Sequence, residues 1–141
     1  MTLLLHMTTR ALWAEAVPTG RYAAASVAEE GFIHLSTTRQ VQLPATALFR
    51  GRSDIVLLCI DADRLDAVVL WEPGDPADPE GMRFPHLYGT LPVSAVRAVV
   101  AYRPAADGTF ATPTGPGGRE LDERVLAEHP PEPGGQVSGT K

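Results

Sequence analysis

The stretch DIVLLCI at residues 54–60 decides the fold. After Asp54 it is an unbroken run of Ile, Val, Leu and Cys, without the alternation of apolar and polar residues that marks a strand with one face in water. Continuous apolar runs of this kind are typical of strands buried on both faces. We therefore expect residues 54–60 to form a central strand, with the other elements built around it.

Weaker strand and helix signals lie on both sides of this run. A helix is expected over about residues 10–17 behind a Thr9 cap, a single turn from Ser26 to Glu30, and a helix from Thr37 or Thr38 to about Phe49. Strands and helices do not alternate regularly, so we predict an α+β domain with a mixed sheet rather than a doubly wound fold. The expected flanking strands are residues 3–8, 32–36, 68–72 and 96–103.

Chain length and composition indicate one domain followed by a tail. A chain of 141 residues is in the usual range for a single core. Residues 1–112 are expected to form the α+β domain. Residues 113–141 are rich in Pro and Gly and are expected to form a C-terminal tail, in which residues 119–129 could supply one short helix.

Charge and cysteine content narrow the class of protein. The formal net charge of −5 argues against nucleic acid as a partner, since phosphate-backbone binding needs clustered Lys and Arg. No apolar run approaches the ~20 residues of a membrane span, and the run at residues 3–5 meets His6 too soon for a signal peptide. The one cysteine, Cys59, excludes an internal disulfide. A soluble cytoplasmic protein without membrane partners is expected.

Three histidines each stand two residues before a hydroxyl-bearing side chain. If these segments are extended, both members of a pair project to the same side, about 6.5–7 Å apart. Imidazole and hydroxyl groups both donate and accept hydrogen bonds, which suits a polyhydroxylated ligand, and histidine can transfer protons near neutral pH. The pattern predicts a small-molecule ligand that contains a sugar or a phosphate. The pairs are His6 with Thr8, His34 with Ser36, and His86 with Tyr88.

Plainer interpretations remain open for several of these residues. His6 taken alone could equally be a hydrogen-bonded core residue. For His34 a functional role is favoured, because its apolar neighbours imply burial, and burying a titratable group is costly. Glu72, beside Trp71 at a strand end, could orient a ligand hydroxyl or simply be solvated. Zinc binding by the three histidines is a rival hypothesis, although their wide intervals match no local ligand motif.

Four segments resemble a known family. They are LHMT at residues 5–8, GFIHLST at residues 31–37, WE at residues 71–72 and FPHLYG at residues 84–89. In combination they resemble the bacterial domain-of-unknown-function family 952, over about residues 3–110. That family is similar in fold to the ADP-ribosyltransferases, which implies two small twisted sheets, mixed or antiparallel, forming a cleft for NAD.

The resemblance also implies roles for residues. His6 matches the position of a histidine that contacts the adenosine ribose of NAD, and the strand with His34 and Ser36 matches one that carries an aromatic residue against nicotinamide. Here a histidine replaces that aromatic residue, and no carboxylate stands in a catalytic-Glu motif. A related branch transfers an RNA 2′-phosphate to NAD with Arg and His, and Arg10, Arg21 and Arg83 could supply cations.

These observations lead to one principal expectation and two alternatives. The principal expectation is a transferase or glycohydrolase that uses NAD or another nucleotide, with His34, His86 and Glu72 in the chemistry. A non-catalytic module that binds a nucleotide or sugar metabolite is the first alternative, and a His-ligated metal-dependent enzyme is the second. The expected ligand-binding residues are His6, Thr8, Tyr22, Ser36, Thr37, Arg83 and Tyr88.

Overall fold

The fold is α+β, with short helices and small, mostly antiparallel sheets. The computed structural model describes residues 1–128 and 137–138. Its helices are α1 (Arg10–Ala16), α2 (Ala25–Glu30), α3 (Gln42–Phe49) and α4 (Glu123–Glu128). Its strands are β1 (Leu3–Thr9), β2 (Arg21–Tyr22), β3 (Ile33–His34), β4 (Ile55–Asp61), β5 (Val69–Pro73), β6 (Arg83–Leu87), β7 (Leu91–Pro92), β8 (Val96–Ala101) and β9 (Val137–Ser138).

The apolar run at residues 54–60 forms the central strand that its composition predicts. Strand β4 lies between β1 and β8, antiparallel to both, and β9 pairs parallel with β8. Every residue of β4 is buried. Its two faces pack into separate clusters, one around Leu57 and Leu5, the other around Leu58 and Trp13. The strand thus separates two halves of the core.

The described residues form three hydrogen-bonded sheets, where the sequence predicted two. Besides the central sheet there is a two-stranded pair, β2 with β7, and a three-stranded antiparallel sheet in the order β3-β6-β5. The chain after β3 pairs with β1 only at one bridge, where the backbones of Leu5 and Ser36 exchange bonds of 2.8 and 2.9 Å. This bridge ties the three-stranded sheet to the central one.

The helices begin where capping and proline chemistry allow. The Thr9 hydroxyl oxygen accepts from the Leu12 amide at 3.2 Å, which confirms it as the cap of α1. Ser26 lies inside α2 rather than capping it, since Ala24 precedes the first turn. The segment after Thr37 forms a turn, and α3 starts only at Gln42, so that Pro44 falls in the first turn of the helix.

Residues 113–128 pack on the central sheet. Leu121 is fully buried and joins the cluster around Leu57, together with Leu126. The helix α4 begins at Glu123, four residues after the expected start at residue 119. Residues 129–136 and 139–141, the rest of the expected tail, lie outside the described residues. None of the helices described is long and apolar enough to cross a membrane.

Candidate functional site

One face of the three-stranded sheet carries the three residues predicted to take part in the chemistry, His34, His86 and Glu72. His34 on β3 lies directly opposite His86 on β6, and Glu72 on β5 lies opposite Phe84. Because side chains alternate along a strand, His86 and Phe84 share a face, and Glu72 is the diagonal neighbour of His86. The two-residue spacing in the sequence thus becomes a cluster on one side of the sheet.

His86 has one ring nitrogen engaged and the other without a partner. The residue is 4% exposed, and its ring stacks on Phe32 at a centroid distance of 4.0 Å. Nδ1 lies 2.8 Å from Oε1 of Glu72. An ionised carboxylate only accepts, so Nδ1 carries the proton and Nε2 keeps its lone pair in the neutral ring. Nε2 is buried and has no hydrogen-bond partner in the described part of the chain.

Oε1 of Glu72 accepts two hydrogen bonds. Besides His86, the Tyr88 hydroxyl donates to Oε1 at 2.7 Å. These hydrogen bonds, the one from Tyr88 first, lower the pKa of the Glu72 carboxyl, and the same bond raises the pKa of the Tyr88 hydroxyl. The carboxylate therefore stays ionised and fixes the orientation of the His86 ring.

His34 lies at the surface of the cluster, contrary to the burial that its apolar neighbours implied. Its side chain is 52% exposed, and Nε2 lies 2.7 Å from Oε1 of Glu30 on α2. Its ring stands edge-on to His86 at 5.3 Å and to Phe32 at 4.8 Å. The expected cost of burial is absent, because in β3 the apolar residue Ile33 points inward and His34 outward. The argument for a functional role of His34 therefore rests only on its place beside His86, and not on burial.

His6 uses both ring nitrogens inside the protein. Nδ1 donates to the His34 carbonyl at 2.8 Å, which leaves Nε2 as an acceptor for the Tyr22 hydroxyl at 2.9 Å. The Tyr22 oxygen in turn lies 2.9 Å from Oγ1 of Thr8. The Tyr22 hydroxyl has one hydrogen, and it donates this hydrogen to His6. The hydrogen bond between Thr8 and Tyr22 is therefore donated by the Thr8 hydroxyl. Burial lowers the pKa of His6 to about 4 and so keeps the ring neutral.

Two cavities meet at these residues. The first, of about 500 Å³ and here called the histidine cavity, is lined by His6, His34 and His86, and also by Ser36. The second, of about 640 Å³ and here called the arginine cavity, is lined by Thr8 and Tyr22 and by Arg21, Arg52 and Ser26. Both share His6, Met7 and Phe49 in their walls. The three histidine segments therefore converge, as the site hypothesis required.

Four of the predicted site residues line neither cavity. Two of them are Glu72, which is linked to the histidine cavity by its bond with His86, and Tyr88, which bonds to Glu72. Thr37 has its amide bonded by the Gln40 side chain at 3.1 Å and lines neither cavity. Arg83 donates to the Trp71 carbonyl at 3.3 Å and also lines neither. Both serve the loop and strand structure next to the site.

Sequence reasoning missed three residues that shape the histidine cluster and its cavity. Phe32 supplies the surface on which His86 stacks, and its position two residues before His34 was the available signal. Asp75 and Asp78, in the loop between β5 and β6, line the histidine cavity. Their sequence context is a polar turn with no periodicity, so nothing local distinguished them from solvated residues.

No metal cluster is visible in the described residues. Among them, no group of three or more His, Cys, Asp or Glu side chains is placed to hold an ion. The Cys59 thiol is buried, and burial raises its pKa to about 12, which suits an inert packing residue.

Comparison with known proteins identifies the family. The chain is similar to protein CC0527 from Caulobacter crescentus, whose crystal structure has a TM-score of 0.67 and 38% sequence identity, covering 78% of this chain and 94% of that one. The solution NMR structure of CC0527 gives 0.65 and 39%, covering 77% and 91%. No curated protein matches. The family described as "Protein of unknown function (DUF952)" matches residues 7–99. This chain therefore belongs to the DUF952 family.

Proposed function

We propose that this protein binds NAD or a related nucleotide across its two cavities, with one part of the ligand in each. It would then act as a transferase or glycohydrolase of the ADP-ribosyltransferase type. One observation carries the proposal. It is the buried His86 ring, held by Glu72 through Nδ1 and left with an unpartnered lone pair on Nε2. A histidine oriented in this way by a carboxylate is suited to general base catalysis.

The proposed chemistry needs one proton acceptor. The bond between the ribose carbon and the nicotinamide nitrogen breaks, nicotinamide leaves as a neutral molecule, and an acceptor N–H or O–H group bonds to the same carbon. The proton of that acceptor moves to Nε2 of His86. Glu72 stabilises the resulting imidazolium, which would be costly to bury alone.

The charges of the two cavities fit the two charged groups of NAD, the pyridinium ring and the pyrophosphate. The pyridinium ring is a cation, and the histidine cavity is lined by Asp75 and Asp78. The pyrophosphate is an anion, and the arginine cavity is lined by Arg21 and Arg52, which are paired with Asp66 and Asp54. In the wall of the arginine cavity, the Thr8 hydroxyl donates a hydrogen bond to Tyr22, so its oxygen can accept one from a ribose hydroxyl.

The test compares NAD binding with NAD turnover in the full chain. We expect NAD to raise the melting temperature and nicotinamide to be released, as measured by chromatography. Glu72→Gln keeps the shape of the side chain but removes its charge, and should slow release by about 100-fold or more. Glu80→Gln makes the same change in an exposed residue outside both cavities and should leave the rate unchanged. Absence of both a thermal shift and release would refute the proposal.

One observation favours a second candidate, a module that binds the nucleotide without turnover. Nε2 of His86 is shielded from solvent, so an acceptor reaches it only if a neighbouring side chain moves. Such a module would show stabilisation by NAD that His34→Ala weakens, with no nicotinamide released. Release above the rate without protein would exclude it.

A further inference from the structure

The wall of the histidine cavity contains several hydrogen-bond acceptors. Its lining residues include Asp75, Asp78 and His86, and none of those described is Lys or Arg. Oδ1 of Asp75 accepts a hydrogen bond from the Ala77 amide at 2.9 Å, and its second carboxylate oxygen is available to a ligand. His86 adds the unpartnered lone pair of Nε2, in a residue that is 4% exposed. A group that binds here has to supply N–H or O–H donors, and a positive charge is favoured.

The rim of the same cavity is apolar. Leu48 is 70% exposed and Met82 53% exposed, and both line the cavity beside Phe84 and Phe49. Large apolar side chains exposed together around a concave site commonly contact a ligand. The rim is therefore suited to a short alkyl stem, while the carboxylates are suited to a cationic head.

We propose that the histidine cavity binds an alkylguanidinium or alkylammonium group, with the charged head between Asp75 and Asp78 and its stem against Leu48 and Met82. Guanidinium and ammonium groups are donor-only, which complements this set of acceptors. Once a neighbouring side chain moves aside, one N–H of the head can donate to the buried Nε2 of His86, which lacks a donor. Binding of this ligand does not rest on the proposed function, because the alkyl cation takes the place beside Asp75 and Asp78 that the proposed function gives to the pyridinium ring of NAD, and the two groups therefore compete.

The experiment measures binding without NAD, so that its failure is distinct from failure of the proposed function. Butylguanidine and its neutral isostere butylurea are titrated into the full chain by calorimetry. We expect butylguanidine to bind and butylurea to bind at least about tenfold more weakly, since hydrogen bonds to a charged group contribute about 1.5–3 kcal/mol. Added salt should weaken the binding of butylguanidine.

Variants in the loop between β5 and β6 test where butylguanidine binds. Asp75→Asn and Asp78→Asn should each weaken butylguanidine binding about tenfold, because each removes one charged partner. Glu80→Gln removes the same charge from the same loop, outside the cavity lining, and should bind like the wild type. Since these residues are exposed, melting temperatures should stay unchanged. Equal binding of butylguanidine and butylurea, or equal weakening by Glu80→Gln, would overturn the proposal.

Discussion

At the scale of single residues, the three histidines differ in which ring nitrogens remain available. His6 is bonded at both nitrogens and stays neutral, so it stabilises the junction of β1 with β3. His34 is half exposed and paired with Glu30. His86 alone combines burial, a carboxylate partner and an unpartnered nitrogen in the described residues. The three histidines therefore share the same spacing to a hydroxyl residue but differ in burial and in the hydrogen bonds that their rings make.

The pKa of His6 predicts a loss of stability in mild acid. Its pKa is about 4 in the folded protein, below the ordinary value of 6.5, so the unfolded chain binds the extra proton first. Stability should fall as the pH drops from about 6.5 towards 4, by up to about 3 kcal/mol from this residue. In His6→Gln this part of the decline should be missing. Urea unfolding at several pH values measures it, and an identical pH dependence in both proteins would contradict the assignment.

The spacing of the histidines allowed part of this arrangement to be predicted. A period of two correctly places His6 with Thr8 and His86 with Tyr88, and each pair has a common partner, Tyr22 in the first case and Glu72 in the second. Both partners were among the predicted site residues, but their bonds to these pairs were not predictable, because they lie 14 or more residues away in the chain. Which nitrogen is occupied depends on these distant contacts.

At the scale of elements, the turn between α2 and β3 aims His34 and Phe32 at the site. Gly31 ends α2 with a φ of 91°, and its amide donates to the carbonyls of Ser26 and Val27, each at 3.0 Å. A Cβ at this position would meet no other atom within 4 Å. The requirement for glycine here is therefore one of backbone conformation alone.

Replacing this glycine should cost stability without creating a clash. Gly31→Ala is expected to destabilise the protein by about 1–2 kcal/mol, the usual cost of a left-handed residue with a side chain. Glu29→Ala, an exposed position in the same helix, should change stability by less than about 0.5 kcal/mol. Chemical unfolding compares the two. Equal stability of Gly31→Ala and the wild type would show that the turn adopts another conformation.

The length of an element decided how well the sequence predicted it. The seven-residue strands β1 and β4 have long enough patterns to be recognised. The strands β2 and β7 have two residues each and show no periodicity, so the two-stranded sheet that they form was not predicted. Their pairing arises from tertiary contacts rather than from local preference.

At the scale of the whole molecule, the C-terminal segment completes one half of the core. Leu121 is fully buried, and a Cβ at Gly115 would lie 3.1 Å from its side chain and 2.9 Å from Val125. The composition of residues 113–141 indicated a tail because Pro and Gly are frequent in it. A few well-spaced apolar residues are enough to fix such a segment on a sheet.

This packing predicts an asymmetry between two leucines. Leu121→Ala should destabilise the protein by about 2–5 kcal/mol, because it leaves a cavity in a closed core. Leu48→Ala, at a residue 70% exposed, should cost less than about 0.5 kcal/mol. Thermal unfolding of both variants measures the difference. A Leu121→Ala protein as stable as the wild type would mean that the segment does not pack as described.

The most direct test of the site as a whole is the ¹⁵N spectrum of the histidine rings, with His86 assigned by its loss in His86→Gln. In neutral His86 we predict the proton on Nδ1, towards Glu72, and a bare Nε2 whose resonance moves when NAD is added to the full chain. A proton on Nε2, or His86 resonances that stay in place when NAD stabilises the protein, would contradict the proposed site.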